Sequence, residues 1–386
     1  MQSFCVVAAI ASLFVRVADA AQAYPLAQIY PQPDGTESPP LVLHGDHQYN
    51  WLSDEKGYHV IIDEDGWYVY AKKSEEGEMV STGVRVGHKN PKKIGLKPYD
   101  TADQKKWLTS SLSDVDRSRR HLMTGEVMCN RLGTKDSPCR RKGLVVLVRF
   151  ADHAHRVLPS STHYDILFNN NGPDATVAPS GSIYDVFNAN SYGSYIYQND
   201  VTEWITVSQT EAEAAGGNMG LGTAEVMTTW REALSKLGEQ GINIGDYDAD
   251  DTGKLDSLVF IHSGAGAEKG GVDCKSQAPY TRRIWSYQHS GLGFTSNGVT
   301  ADRYYVASGV THTCPLDNHG NDAPYKDAWG IGRIGVIAHE CGHFLGVEDL
   351  YDASLESPGN GVGNFDMMGK CRKRHCAQYT HQWHRI

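Results

Sequence analysis

One stretch near the C-terminal end limits the choice of fold more than any other. From Ile334 to Asp349 the chain reads IGVIAHECGHFLGVED, so that His339 opens the pattern H-E-x-x-H-x-x-G-x-x-D. The run is apolar with helical spacing. On an α-helix His339 and His343 stand one turn apart, ~40° around the axis and ~6 Å along it. Two imidazoles so placed can bind one Zn²⁺ at ~2.0–2.1 Å. Glu340 sits beside them and can accept the proton of a metal-bound water. Gly346 can take the left-handed conformation that ends a helix. The chain can then turn back and bring up Asp349 as a third ligand, an oxygen donor that zinc accepts. A surface helix with two solvated histidines is the alternative, and it gives the glycine and the acid at this spacing no purpose.

The residues that follow add a second signal: Leu350-Tyr351-Asp352, and then Gly361-Val362-Gly363-Asn364-Phe365-Asp366-Met367-Met368-Gly369. Together with the extended motif they resemble the immune inhibitor A-like (M6) metalloproteases, a family of metzincin-type zincins. The resemblance implies an α+β fold, a twisted mixed sheet backed by helices, with the active-site helix late in the chain and a small β-rich pro-region ahead of it. By position it implies His339, His343 and Asp349 as zinc ligands and Glu340 as catalytic base. Met368, ahead of Met367, matches the methionine of the turn beneath the metal; plain core filling is the other reading of either side chain. The activity implied is zinc-dependent hydrolysis of protein or peptide substrates.

At 386 residues the chain has room for two or three domains. Its net charge of −10 argues against a nucleic-acid partner, whose phosphates need a basic face. Residues 1–23 read as a secretory signal. The apolar run from Phe4 to Val17 leads into Ala18-Asp19-Ala20 and Ala21-Gln22-Ala23, both small-x-small cleavage sites. That run is too short to span a bilayer, and no later one is long enough, so a secreted, extracellular protein with no membrane span is expected. Eight cysteines fit an oxidising compartment. Cys5 leaves with the signal. Cys341 points ~200° away from His339 and reads as a packed thiol. Closeness in sequence suggests the disulfides Cys129–Cys139 and Cys371–Cys376, leaving Cys274–Cys314.

Residues 24–120 are expected to form the pro-region. Residues 57–71 read as two strands around an Asp-Gly hairpin turn, and residues 88–120 as a polar linker. The linker ends in Arg117-Ser118-Arg119-Arg120, the R-x-R-R form read by furin-like convertases. A solvated basic patch is the alternative, and Arg140-Arg141-Lys142 fits the pattern less well. Processing there divides the precursor into residues 24–120 and a catalytic domain at 121–386. The domain begins with a buried-strand pattern, Leu144 to Phe150. Residues 182–193 resemble the same family's helix-then-turn segment, whose helix Ser182 can cap; strand texture over Val201–Val207, a helix over residues 223–237 and a strand from Leu255 to His262 follow. Between the last two, Asp248, Asp250, Thr252 and Asp256 with Gly253 match much of an EF-hand-type calcium loop, except that Val259 stands at the twelfth position. An Asp-rich structural turn is the other reading.

The expected protein is therefore a secreted zinc endopeptidase made as a precursor, with Glu340 as general base. The rival readings are a catalytically impaired zinc-binding relative, whose basic tail after Gly369 lacks the family's cleft wall, and a secreted calcium-stabilised binding or adhesion protein with a vestigial site. The intact Glu340 argues against both. Residues 24–120 contain no cysteine, so a pro-region thiolate cannot occupy the metal. Latency then falls to Asp63, Glu64, Asp65, His44 or His47, or to steric cover.

Overall fold

The computed structural model describes residues 19–21, 23, 26–46, 50–74, 78–98, 134–311, 330–350 and 366–369. The expected processing residues Arg117, Arg119 and Arg120 lie outside these, as do Cys129, Cys314, Cys371, Cys376 and His47.

The N-terminal part supplies a short strand β1 (Asp19–Ala20) and then an antiparallel meander: β2 (Leu41–Gly45), β3 (Asn50–Asp54), β4 (His59–Ile62), β5 (Tyr68–Lys73) and β6 (Met79–Arg85). The expected hairpin joins β4 to β5. Its turn is fixed from within: Asp63 Oδ1 accepts the N–H groups of Asp65 and Trp67 at 3.2 and 2.8 Å, and Gly66 takes a left-handed φ of 85°.

The remainder is built on a mixed sheet. Its parallel core comprises β7 (Cys139–Arg149), β8 (Tyr195–Val201), the small β9 (Ile205–Thr206), β10 (Leu258–Ala265) and, further along the chain, β14 (Tyr304–Val310). β11 (Tyr287–His289) runs antiparallel beside β14, and β1 pairs with the far side of β11. A separate hairpin holds β12 (Phe294–Ser296) and β13 (Val299–Ala301). Leu144 to Val148 are all fully buried, because a parallel strand inside such a sheet is covered on both faces.

Among the described residues there are five α-helices: α1 (Ser161–Asn169), α2 (Ile183–Asn190), α3 (Glu211–Ala215), α4 (Ala224–Glu239) and α5 (Ile334–Phe344). On one face of the sheet Val145, Leu147, Val259, Ile261, Tyr305 and Ala307 meet α1, α2 and α5. On the other, Leu144, Val146, Phe260 and Val306 meet α4 and the apolar side of the meander, including Tyr30, Leu43 and Leu52. Trp230 of α4 stacks on Phe260 at 4.8 Å. Ser182 caps α2 as expected, its hydroxyl accepting from Asp185 N at 3.1 Å. Thr223 caps α4 in the same way.

Three expectations shift. Strand texture over Val201–Val207 gives two pieces, because Leu147 N–H donates to the Thr202 hydroxyl at 3.1 Å and breaks the ladder. The strand expected from Leu255 starts at Leu258, since Asp256 N–H is held by Tyr247 O at 2.7 Å. Arg140, Arg141 and Lys142 lie inside β7, paired with Ile196, Tyr197 and Gln198, so cleavage there would cut a central strand.

The meander also bears on latency. It packs on the face opposite α5; buried Tyr30 accepts Gly271 N–H at 2.9 Å. His44 Nε2 bonds Ser53 Oγ at 2.8 Å, and its ring stacks on Trp51. Among the described residues neither His44 nor the acidic turn at Asp63–Asp65 joins His339, His343 and Asp349. The expectation that these groups cover the metal is not met.

A buried charge cluster lies where β7 and β10 end. Glu211, 1% exposed, has His153 Nε2 at 3.5 Å and His262 Nδ1 at 3.9 Å. Burial raises Glu211 to about 8, with Arg156 and Arg283 only partly offsetting it, and lowers His153 to about 2 and His262 to about 3. Native Glu211 keeps its proton to about pH 8, whereas the unfolded chain releases it near ~4.3. Its contribution therefore falls as pH rises toward 8. The histidines act oppositely: the unfolded chain takes up their protons below ~6.5 while the native one does not, so stability falls as pH drops. Urea unfolding should show greatest stability near pH ~6.5. Glu211→Gln should remove the decline between there and pH ~8 and leave the acid-side loss. An unchanged profile in that variant would place the effect elsewhere.

Candidate metal centre

Helix α5 forms because Ile334, Ile337, Ala338, Cys341 and Phe344 give it one apolar face, and that face seals the α1–α2 side of the sheet. The helix closes as expected at Gly346, which has a φ of 90°. Gly346 N–H reaches His343 O and Val347 N–H reaches Gly342 O, both at 2.9 Å, the two bonds of a Schellman end. Arg303 donates to Phe344 O at 2.8 Å, setting a cation at the negative end of the helix.

The chain turning back at Gly346 does two things for the site. Val347 presents its carbonyl to His343 Nδ1 at 2.9 Å. It also carries Asp349 round, so that Asp349 Oδ1 stands 3.3 Å from His339 Nε2 and 3.4 Å from His343 Nε2. The other imidazole is fixed from farther away, with Met367 O 2.9 Å from His339 Nδ1. A carbonyl can only accept, so each Nδ1 carries the proton and each Nε2 is left with a lone pair. The two Nε2 atoms are 3.1 Å apart. Two nitrogen lone pairs and a carboxylate thus face one point. That arrangement repels itself unless a cation lies at its centre, and tetrahedral zinc with bonds of ~2.0–2.1 Å sets its donors ~3.3 Å apart. The donor set fits zinc.

The floor of the site is the turn at residues 366–369. Asp366 Oδ1 accepts Met368 N–H at 2.8 Å, and Met368 O accepts Leu350 N–H at 2.7 Å. Met368 is 1% exposed, and a Cβ on Gly342 would meet its sulfur at 2.6 Å. The helix can approach the turn this closely only with glycine at that position. Met368 thus lies against the helix at Gly342, while the carbonyl of the neighbouring Met367 meets His339 Nδ1. Sequence reading missed Gly342, Arg303 and the carbonyls of Val347 and Met367. Only the glycine, placed mid-helix between the two histidines, left a signal.

Glu340 is fully buried, and His339 and His343 are 7% and 3% exposed. Cys341 is a buried free thiol, pushed up to about 12 by burial, with the Tyr305 and Tyr197 hydroxyls bonded to its sulfur. It packs as expected and takes no part in the metal group. Cys139 and Cys274 are disulfide-bonded.

The calcium-type loop also gathers its acids: Asp248, Asp250 and Asp256 converge. Arg141 enters the cluster, Nη1 lying 2.9 Å from Asp250 Oδ2 and 2.6 Å from Asp256 Oδ1. Asp248 accepts the N–H groups of Thr252 and Gly253, and the Thr252 hydroxyl turns to Asp250 at 2.8 Å. Val259, where a bidentate acid would stand, is buried in β10 opposite Tyr305. A guanidinium therefore already meets much of the loop's negative charge.

Residues 141–374 match the family model described as immune inhibitor A peptidase M6, catalytic domain. The match includes His339, Glu340, His343, Asp349 and Met368, and extends five residues beyond Gly369. The chain is 29% identical over 231 residues to the pre-pro-metalloprotease PrtV of Vibrio cholerae, covering 54% of this chain and 23% of that protein. It is 26% identical over 260 residues to immune inhibitor A of Bacillus thuringiensis, covering 59% of this chain and 36% of that protein. It thus spans well under half the length of either relative.

Proposed function

The chain belongs to the immune inhibitor A (M6) peptidase family, and from that membership we propose that it is a secreted zinc-dependent endopeptidase made as a precursor. The observation that carries the reading is the convergence of His339 Nε2, His343 Nε2 and Asp349 Oδ1, with both Nδ1 protons committed to carbonyls. These three residues would hold the metal. Zinc, when bound, supplies a Lewis acid for the scissile carbonyl and acidifies water. Glu340, next to His339 on the same helix, accepts the proton of the attacking water and delivers it to the leaving amine. Val347 and Met367 keep the imidazoles in the ligating tautomer. An extended peptide lies along the antiparallel edge of the sheet, where main-chain hydrogen bonds hold it independently of its sequence.

In the same reading residues 1–23 are the signal and residues 24–120 the pro-region. Residues 121–386 are the catalytic domain, of metzincin-like plan, released by a furin-like protease after Arg120. The processed protein should hydrolyse an unstructured peptide, stop when a chelator is added, and recover with zinc. Hydrolysis that persists in chelator would reject the metallopeptidase reading.

A further inference from the structure

The chain carries more acid than base, 46 Asp and Glu against 36 Lys and Arg. Yet from Met79 to Pro98 it has no acid, and its cations there are Arg85, Lys89, Lys92, Lys93 and Lys97. Arg85 is engaged, its Nη1 lying 3.4 Å from Asp34 Oδ2 and its guanidinium over the Trp67 ring. The four lysines are exposed, and among the described residues none of them makes an ion pair. Lys142 and Lys236, by contrast, reach Asp200 and Glu232 at 2.7 Å. The segment beneath these lysines is held in place. Pro91 is buried, and Leu96 packs against the core on the α4 face. Between these anchors the backbone makes a 3₁₀ turn over Pro91–Ile94. Asn90 Oδ1 accepts Lys92 N–H at 3.0 Å, Gly95 takes a left-handed φ of 80°, and Leu96 N–H closes the turn on Pro91 O at 3.1 Å. Because the anchors face inward, the lysines stand outward with Ile94 among them, an apolar side chain left 36% exposed.

We propose that this turn docks the protein on an anionic lipid bilayer, whatever the metal centre does. A lysine ammonium is a point charge and suits a diffuse field of headgroups, whereas the planar fork of arginine would mark a single phosphate or sulfate. Ile94 decides between partners. An apolar side chain among lysines gains from the headgroup–acyl boundary of a bilayer and gains little from a polysaccharide. The net charge of −10 does not oppose docking, since at physiological ionic strength charges beyond ~8 Å are largely screened. Each lysine brought to such a surface strengthens binding about fivefold. The meander that bears the turn packs on the face opposite α5, so docking does not call on the face that carries His339 and His343.

The test is co-sedimentation of the full chain, in a Glu340→Gln background that keeps it intact, with vesicles of phosphatidylcholine alone or with roughly one third phosphatidylserine. The parent protein should bind the anionic vesicles only, and should leave them as salt rises well above the physiological level. Lys92→Ser with Lys93→Ser should weaken binding at least ~10-fold. Lys135→Ser with Lys254→Ser takes the same charge from exposed sites elsewhere and should leave binding unchanged. Ile94→Ser should weaken vesicle binding a few-fold and leave retention on heparin as it was. All five side chains are exposed, so thermal midpoints should match across the set. Absence of binding to anionic vesicles, equal losses in the two double variants, or an Ile94→Ser protein that binds like its parent overturns the proposal. Retention on heparin without vesicle binding also rejects the bilayer and assigns the turn to a sulfated polysaccharide.

Discussion

Glu340→Gln should retain zinc and the native thermal midpoint while losing peptide hydrolysis by at least ~10²-fold, the lower bound of what a general base contributes. The substitution keeps the shape of a side chain that is fully buried and removes only its capacity to take a proton. The loss should fall on kcat with KM little changed, because the carboxylate acts in the proton transfer rather than in holding peptide. Elemental analysis for zinc, with steady-state kinetics on one unstructured peptide, checks both halves. A variant with near-normal kcat would assign the base to another group. One that lost zinc would make Glu340 part of the support of the metal instead.

What could be read from the sequence here was what is local along the chain. His339 and His343 are four residues apart, and helix geometry alone sets their mutual position. Gly346 and Asp349 follow from one reversal of the chain, and the Ser182 cap and the Asp63–Gly66 turn are settled by hydrogen bonds spanning a few residues. What escaped depends on partners far apart in sequence. Met367 orients His339 from 28 residues away. Arg141 reaches Asp256 across 115 residues, so a loop that looks calcium-like in isolation meets a cation already supplied by β7. Two strands of the meander, β4 and β5, were legible around their turn, but the other three and the sheet face the meander would choose were not. Its apolar side fits the α4 face through Tyr30 and Leu43, and no pattern within residues 24–98 encodes that choice. The pairing of β1 with β11 is likewise invisible, since Ala18 to Ala23 reads as a cleavage region and carries no strand pattern.

The second large effect is expected at the ligands themselves. His343→Ala should leave a protein that gives up its zinc on dialysis, and His339→Ala should do the same. Each substitution removes one of three donors and leaves a carbonyl, Val347 O or Met367 O, without the ring N–H it now accepts. Losing the partner of a ligating imidazole typically costs 10–100-fold in metal affinity, and losing the imidazole costs more. Because zinc binds only the assembled site, its loss also lowers stability: a ligand at ~100 times its dissociation constant contributes ~2.7 kcal/mol. The thermal midpoint of either variant should therefore stop responding to added zinc, while the wild type keeps responding. Gly342→Ala supplies the contrast. It leaves all three ligands in place but drives a methyl group against Met368 Sδ, where only 2.6 Å is available. Zinc affinity should weaken there without being abolished, as the helix lifts from the turn that positions His339. Near-stoichiometric zinc in the His339→Ala, His343→Ala double variant would show that the metal belongs elsewhere in the molecule.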